Sequence, residues 1–405
     1  MLGGLFDLPR LHGLIQGDAE AVGVRYIPPT PTCPPLRIFY PAKRPLDTNQ
    51  RACCRWFHQD PGCKNNSIGV GTFLSGYLHV IGVKHGTLAF SLLSPIVHLV
   101  AWLLPMQYRR LPDTYPNLDV DTTACTTTTT TNNKKNRLPV IVFSHGLTGT
   151  SHENALLCAA WARQGYLVAA VHHTDGSSVC VPIVQSPKKQ SSNNHSNEKD
   201  TTSIFTTLWY RHGPPLNKDY DPTFRKGQVL QRAQELHSAL SFLKTCPTFA
   251  EHCNFEKVIL AGFSFGATTA ILAAVLPPEE SPSPSLHLHP SFSGLMLLDG
   301  WFYIDLAASA GMEFEFPTQA FEDAGLRKIH SIPSLFLNSE SFSKYPKGME
   351  ATQKLAGMDT GHKDYNIFQR QQNHVIIPGT KHNNFCEISF WFPPKLLALA
   401  GTLLG

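Results

Sequence analysis

A chain of 405 residues, 42% apolar and 16% charged, is long enough to bury a sizeable core as one large domain or two, and its apolar content is ordinary for a globular protein. Its formal net charge of +4 is small for that length and no lysine- or arginine-rich block stands out, which argues against nucleic acid as a partner. Ten cysteines show neither a C-x-x-C pair nor metal-ligand spacing, and no EF-hand or H-E-x-x-H motif occurs, so neither a metal nor another cofactor is expected.

The first ten residues, M-L-G-G-L-F-D-L-P-R, lack a basic region followed by an apolar core, and Leu2 stands where an N-myristoyl signal needs glycine. The expectation is a cytoplasmic protein with peripheral membrane association. Residues 1–35 carry Y-I-P-P-T-P-T-C-P-P, a proline cluster that predicts an irregular segment. Leu36-Arg37-Ile38-Phe39-Tyr40-Pro41 reads as an early strand at one end of a sheet, and residues 42–86 are mixed.

Residues 88–104, L-A-F-S-L-L-S-P-I-V-H-L-V-A-W-L-L, form the most apolar stretch. It falls short of the about 20 residues a membrane span needs, and Pro95 and His98 interrupt it. It reads as an interfacial helix, with Leu99 and Trp102 at the lipid boundary, or as a core-packing helix. Residues 119–136, 186–203 and 277–293 are Thr-rich, Ser/Asn-rich and Pro/Ser-rich; they are read as disordered surface insertions in a single domain spanning 1–405.

Between the insertions, strand and helix patterns alternate. Residues 138–143 are an apolar strand run, 155–164 have helical spacing and 166–171 are a second apolar strand. In 225–245, Val229, Leu230, Ala233, Leu236, Leu240 and Leu243 recur at helical spacing. Strands follow at 258–261, 295–299, 334–338 and 374–378. The alternation predicts an α/β fold with a mostly parallel central sheet and helices on both faces.

The run V-I-L-A-G-F-S-F-G-A-T-T-A-I-L-A-A, residues 258–274, places Gly262-Phe263-Ser264-Phe265-Gly266 between an apolar strand and a small-residue helix. That context makes G-x-S-x-G a nucleophile elbow, with Ser264 Oγ raised at a helix N-terminus and the Phe265 amide beside it. A serine hydroxyl needs a base, and the base needs a carboxylate to hold its tautomer. Ser264, Asp299 and His382 occur in the serine, acid, histidine order of α/β-hydrolases, with Asp299 after the next strand and His382 after the last. Asp305 is the rival acid; His330, His362 and His374 are rival bases, although His374, beginning a strand, is expected to face away from the site. The second oxyanion donor is assigned to the Leu147 amide in Phe143-Ser144-His145-Gly146-Leu147, where Gly146 allows close backbone approach and His145 is read as structural. His172 and His173, adjacent at a strand end, should face opposite ways, so one at most lines the pocket.

These segments together resemble the platelet-activating factor acetylhydrolases, the calcium-independent group VII phospholipases A₂ of α/β-hydrolase fold. The resemblance runs through 36–41, 142–147, 168–171 with His173 and Asp175, 208–211, Gln231-Arg232-Ala233, Leu298-Asp299-Gly300-Trp301, Phe336-Leu337-Asn338-Ser339-Glu340 and His382-Asn383-Asn384-Phe385. It implies metal-free hydrolysis of short or oxidised sn-2 acyl chains of glycerophospholipids at a membrane or lipid-particle surface. It also implies Ser264 as nucleophile, Asp299 and His382 as its partners, the Leu147 and Phe265 amides as oxyanion hole, and an interfacial helix near 88–104. Phe263 departs from the family's histidine, Ala267 from its glycine and Thr174 from a basic residue. A carboxylesterase or neutral lipase acting on another ester, and a non-catalytic lipid-binding relative, are the alternatives.

Overall fold

The computed structural model describes residues 16–45, 69–103, 110–123, 137–185, 205–213, 223–276, 292–304, 314–315, 331–356 and 374–387. The stretches 124–136, 186–203 and 277–291 lie outside the described residues, as do Asp305, His330 and His362.

Among the described residues the chain forms thirteen strands: β1 (Ala21–Ile27), β2 (Leu36–Ala42), β3 (Thr114–Pro116), β4 (Leu138–Ser144), β5 (Leu167–Val171), β6 (Cys180–Val184), β7 (Phe205–Trp209), β8 (Cys253–Phe263), β9 (Gly294–Leu298), β10 (Tyr303–Ile304), β11 (Phe314–Glu315), β12 (Ser334–Ser339) and β13 (His374–Ile377). Its helices are α1 (Val70–Val80), α2 (Leu88–Leu103), α3 (Ala155–Arg163), α4 (Thr223–Thr245), α5 (Phe265–Val275), α6 (Glu340–Ser343) and α7 (Pro346–Leu355). Nine strands make one sheet in the order β13-β12-β9-β8-β4-β5-β2-β1-β3; β6 with β7 and β10 with β11 pair separately. From β13 to β5 every pairing is parallel, while β2 is antiparallel to both β5 and β1.

The period-2 alternation of these strands sorts their side chains between two cores. Leu36, Ile38 and Tyr40 of β2, Val140 and Val142 of β4 and Leu260 of β8 face α4 and α5. Phe39, Ile141, Phe143 and Ala261 face the other way, against α1 and α3. Both faces of the sheet are therefore covered, which is why β4 and β5 read as continuous apolar runs. This is the α/β-hydrolase architecture expected from the sequence. Because β4, β5, β8, β9, β12 and β13 run in parallel, their carboxyl ends share one edge, where such folds bind ligands.

Three expectations need correction. The segment 1–35 is not irregular throughout: Ala21–Ile27 is a strand, registered against β2 from Ala21↔Ala42 to Ile27↔Leu36. The proline cluster begins at Pro28, so it ends the strand and turns the chain instead of preventing pairing. β2 is consequently not at the sheet end; β1 and β3 lie outside it. The margins of two expected insertions are also held in place. The Asp121 amide donates to the Pro41 carbonyl (2.9 Å) and the Ser293 amide to that of Val258 (2.8 Å).

The apolar stretch forms α2, with Pro95 inside it. Only a narrow stripe of it packs inward, Phe90, Ser94, Val97 and Ala101, at helical spacing. Leu88, Leu92, Ile96, Leu99, Val100 and Trp102 are exposed, Leu99 at 59% and Trp102 at 61%. No helix among the described residues is long and apolar enough to cross a membrane.

Leu260, 1% exposed on the central strand β8, touches the core on the α4–α5 face. Leu260→Ala should cost about 3 kcal/mol, seen as a lower denaturant midpoint at an unchanged slope.

Candidate active site

β8 ends at Phe263, and Ser264 turns the chain directly into α5 with φ 56° and ψ −120°. That left-handed conformation is costly for a residue with a Cβ and persists only where neighbours enforce it. The Ser264 amide donates to the Leu298 carbonyl of β9 (2.8 Å), and the Ser264 carbonyl accepts from Ala267 N (3.0 Å) and Trp301 N (3.2 Å). Side chains are excluded on both flanks. A Cβ on Gly262 would stand 2.1 Å from the Gly266 carbonyl oxygen, and one on Gly266 would stand 2.1 Å from that of Ser144. The glycines two residues either side of the serine are therefore demanded by backbone crowding.

Asp299 follows β9, also at positive φ (44°), and is fully buried. The structure brings Ser264, His382 and Asp299 together. His382 Nε2 lies 3.1 Å from Ser264 Oγ, and its Nδ1 lies 3.1 Å from Asp299 Oδ2. The carboxylate fixes the tautomer: Nδ1–H donates to Asp299, leaving Nε2 to accept from the serine. Ser339 N (2.6 Å) and Asn338 Nδ2 (3.3 Å) donate to Asp299 Oδ1, and Ser339 Oγ (2.5 Å) donates to Oδ2. His374 does not face away as expected. Its Nε2 donates to Asn338 Oδ1 (2.8 Å), because parallel pairing sets Phe336, two residues before Asn338, opposite it. It thus supports Asp299 at one remove.

The imidazole of His382 is walled by rings: Phe263 at 4.8 Å between centroids, Trp301 at 5.6 Å and Phe342 at 6.5 Å. Phe263, the departure noted in the sequence, thus packs directly on this histidine. The loop carrying His382 is tied at both ends. Its amide donates to Ser341 Oγ (3.2 Å), and Gly379 N donates to Glu340 Oε2 (2.7 Å). Downstream, Glu387 accepts from the Leu156 (2.8 Å) and Leu157 (2.7 Å) amides at the start of α3; burial pushes its carboxyl up to about 8 against the pull of these donors. The Glu387 amide donates to the Glu153 carbonyl (2.7 Å).

Gly146 lies against the elbow; a Cβ there would be 3.3 Å from Ser264 Cβ. Leu147 comes next, and Phe265 opens α5. Among the described residues no backbone acceptor takes either amide. Leu99 and Trp102 stand elsewhere, on the outer surface of α2.

Several polar residues here escaped sequence reasoning. His172 and His173 are both buried, so neither lines an open pocket: His172 Nε2 meets the Cys180 carbonyl (2.9 Å), and His173 bridges Ser144 Oγ (2.8 Å) and Glu235 Oε2 (2.6 Å). Burial, with Arg232 nearby, holds His173 well below the usual histidine range, so it bridges as a neutral ring. Arg232 shares the α4 face of Val229, Ala233 and Leu236, and a charge on an apolar stripe was the available signal. The described cysteines are free, Cys246 and Cys253 included.

The family model described as platelet-activating factor acetylhydrolase, isoform II, matches residues 113–402. The chain is 26% identical over 270 residues to the platelet-activating factor acetylhydrolase of Gallus gallus, covering 63% of this chain and 54% of that one. It is 23% identical over 293 residues to a putative phospholipase A2 of Schizosaccharomyces pombe, covering 64% and 61% respectively. The chain thus spans about half the length of the Gallus gallus relative. Among solved structures, the ferulic acid esterase from Streptomyces cinnamoneus aligns at 14% identity and a TM-score of 0.45, covering 94% of this chain and 78% of that one.

Burial pushes the Glu153 carboxyl up to about 8, while hydrogen bonds from Tyr77 and the Thr150 backbone pull it down. The folded state holds this proton more tightly than the unfolded chain does. The stability it contributes is full below about pH 4.5 and is lost as pH rises to about 8. Glu153→Gln keeps an acceptor for the Tyr77 hydroxyl but cannot titrate. Urea midpoints measured between about pH 5 and pH 8 should fall more steeply in the parent than in the variant, and parallel profiles would show that the proton is not so held.

Proposed function

This chain belongs to the platelet-activating factor acetylhydrolase family, and from that premise we propose that it is a serine esterase that removes short or oxidised acyl groups from the sn-2 position of glycerophospholipids. The observation that carries the reading is the double contact of His382, 3.1 Å to Ser264 Oγ and 3.1 Å to Asp299 Oδ2.

In this reading Ser264 Oγ attacks the ester carbonyl while His382 Nε2 takes its proton. Asp299 orients the imidazole and stabilises the imidazolium. The Leu147 and Phe265 amides donate to the oxyanion. As the tetrahedral adduct collapses, His382 returns the proton to the departing sn-2 oxygen of the lysophospholipid. Water, activated by the same histidine, then releases the acyl group from Ser264. The serine, imidazole, carboxylate and two amides supply every step, so none calls on a metal or cofactor. Phe263, Trp301 and Phe342 give the reacting bond an apolar surround.

The parent should react with a fluorophosphonate probe and hydrolyse short-chain sn-2 phospholipids in preference to a soluble aryl ester of equal chain length. Ser264→Ala should lose labelling, and turnover should drop by about 10⁴-fold or more. An unlabelled parent, or unchanged labelling in the variant, removes the enzyme reading. Preference for the aryl ester moves the substrate to a soluble ester.

The bare apolar face of α2 supports a lipid-facing role. Seven large apolar side chains are exposed there, Leu88, Leu92, Leu93, Ile96, Leu99, Val100 and Trp102, and patches of this kind mark interaction surfaces. Leu99→Asp and Trp102→Asp should each weaken binding to phosphatidylcholine vesicles by about ten-fold, the worth of one apolar side chain withdrawn from lipid. Turnover of a soluble ester should persist, and its joint loss would assign α2 to core packing instead.

A further inference from the structure

We infer that Arg232 is a positioning residue for the oxyanion hole, and that it acts by clamping the peptide whose N–H belongs to Leu147. This rests on the Ser264 mechanism above.

Arg232 lies on α4 with its side chain fully buried. A buried guanidinium is expensive unless its donors find acceptors. Here they do, and the acceptors are specific. Nη1 donates to the His145 carbonyl (2.8 Å), Nη2 to the Gly146 carbonyl (3.2 Å) and Nε to Ser177 Oγ (2.8 Å). Asp175 Oδ2, 3.2 Å from Nε, is the counter-charge. The guanidinium also stands over the Phe265 ring, its central carbon 4.9 Å from the ring centroid. One side chain therefore touches the peptide preceding one proposed oxyanion donor and the residue that carries the other.

The Gly146 carbonyl is held from more than one direction. The His173 amide donates to His145 Nε2 (3.3 Å), and the Gly146 carbonyl, which can only accept, lies 2.8 Å from Nδ1; these two contacts put the proton of that neutral ring on Nδ1, with Arg232 Nη2 3.2 Å away from it. His145 Nδ1–H then donates to the Gly146 carbonyl (2.8 Å), beside Arg232 Nη2 and the Gly149 amide (3.2 Å). A trans peptide is planar, with its carbonyl and the following N–H pointing opposite ways. Three donors that pin the Gly146 oxygen therefore also fix the direction of the Leu147 N–H, away from the guanidinium. Donors on the carbonyl polarise the peptide as well, leaving its N–H a stronger donor. The hole is thus set before substrate arrives, and a preorganised donor is what lowers a charge-forming barrier.

Arg232→Lys keeps the charge but loses the fork that reaches two carbonyls at once. For a soluble ester, kcat should fall by about 10²-fold with KM within about three-fold of the parent. In infrared difference spectra of the acyl-enzyme made with a carbonyl-labelled ester, the acyl C=O band should move to higher wavenumber, because less hydrogen bonding reaches it. A merely structural role would lower stability without moving that band. Retention of kcat, or its loss with the band unmoved, overturns the clamp. Should the lysine variant give no cooperative unfolding transition, a second pair decides. His145→Asn offers an N–H near the position of Nδ1 and should lose less kcat than His145→Leu; equal losses overturn the clamp. Fluorophosphonate labelling separates the two levels: an unlabelled Ser264 in the parent topples the esterase reading, whereas a labelled parent with an unaffected Arg232→Lys topples the clamp alone.

Discussion

The structure hinges on the crowding of three backbones at the elbow. β8 ends, α5 begins and the carboxyl end of β4 passes so close that Gly262 and Gly266 cannot carry side chains, each meeting a carbonyl oxygen at 2.1 Å. Ser264 takes the positive φ that this packing forces on it (56°), and bonds to Leu298 and Trp301 hold it there. A serine in an ordinary helix start would lie along the sheet edge; one held in this strained turn stands clear of it. The same crowding places Gly146, and so the Leu147 peptide, beside the serine. Ser264 and the Gly146–Leu147 segment are therefore placed by one packing constraint, while Asp299 and His382 are brought in separately by β9 and by the loop after β13.

The polar surroundings divide accordingly. On one side, Ser339 and Asn338 feed donors to Asp299, with His374 behind Asn338. On the other, Arg232, Asp175, His145, His173 and Glu235 form a buried network beneath the Gly146–Leu147 segment. Burial drives Asp175 up and Arg232 down, and each opposes the shift of the other, so neither charge is tolerable alone. Networks of this kind are costly when partly satisfied and rigid when complete. Rigidity is what an oxyanion site needs, since donors that must reorganise during the reaction give back much of what they contribute.

Much of the fold was legible because its signals are local. Apolar runs with both faces buried mark β4, β5, β8 and β9, and the elbow is a pattern of strand, glycine-flanked serine and small-residue helix. The order of serine, acid and histidine could be read because each follows a strand end. What escaped depends on pairing or on distant partners. β1 is masked in the sequence by the prolines after Ile27, whereas its seven-residue register with β2 is a tertiary fact. The side on which His374 lies is not legible, because strand alternation alone does not give the phase of a short edge strand. His173 and Glu235, 62 residues apart, meet only through the packing of α4 on the sheet.

The same reasoning explains why α2 can stay bare without loosening the site. Its inward stripe is narrow, yet Ser94 Oγ meets Ser75 Oγ of α1 at 2.9 Å, and Tyr77 of α1 donates to Glu153 Oε1 at 2.8 Å. Glu153 in turn accepts from the Glu387 amide, just beyond the His382 loop. The apolar face is thus carried on a helix that is itself bolted to the segment flanking the catalytic edge. On the proposed reading of an esterase at a lipid surface, that mounting matters more than the hydrophobicity of the face. On that reading apolar area sets how strongly the surface binds, while the path from α2 through α1 to Glu153 ties the apolar face to the segment beside the His382 loop, and positioning of that kind can contribute as much to rate as the chemistry of the attacking group.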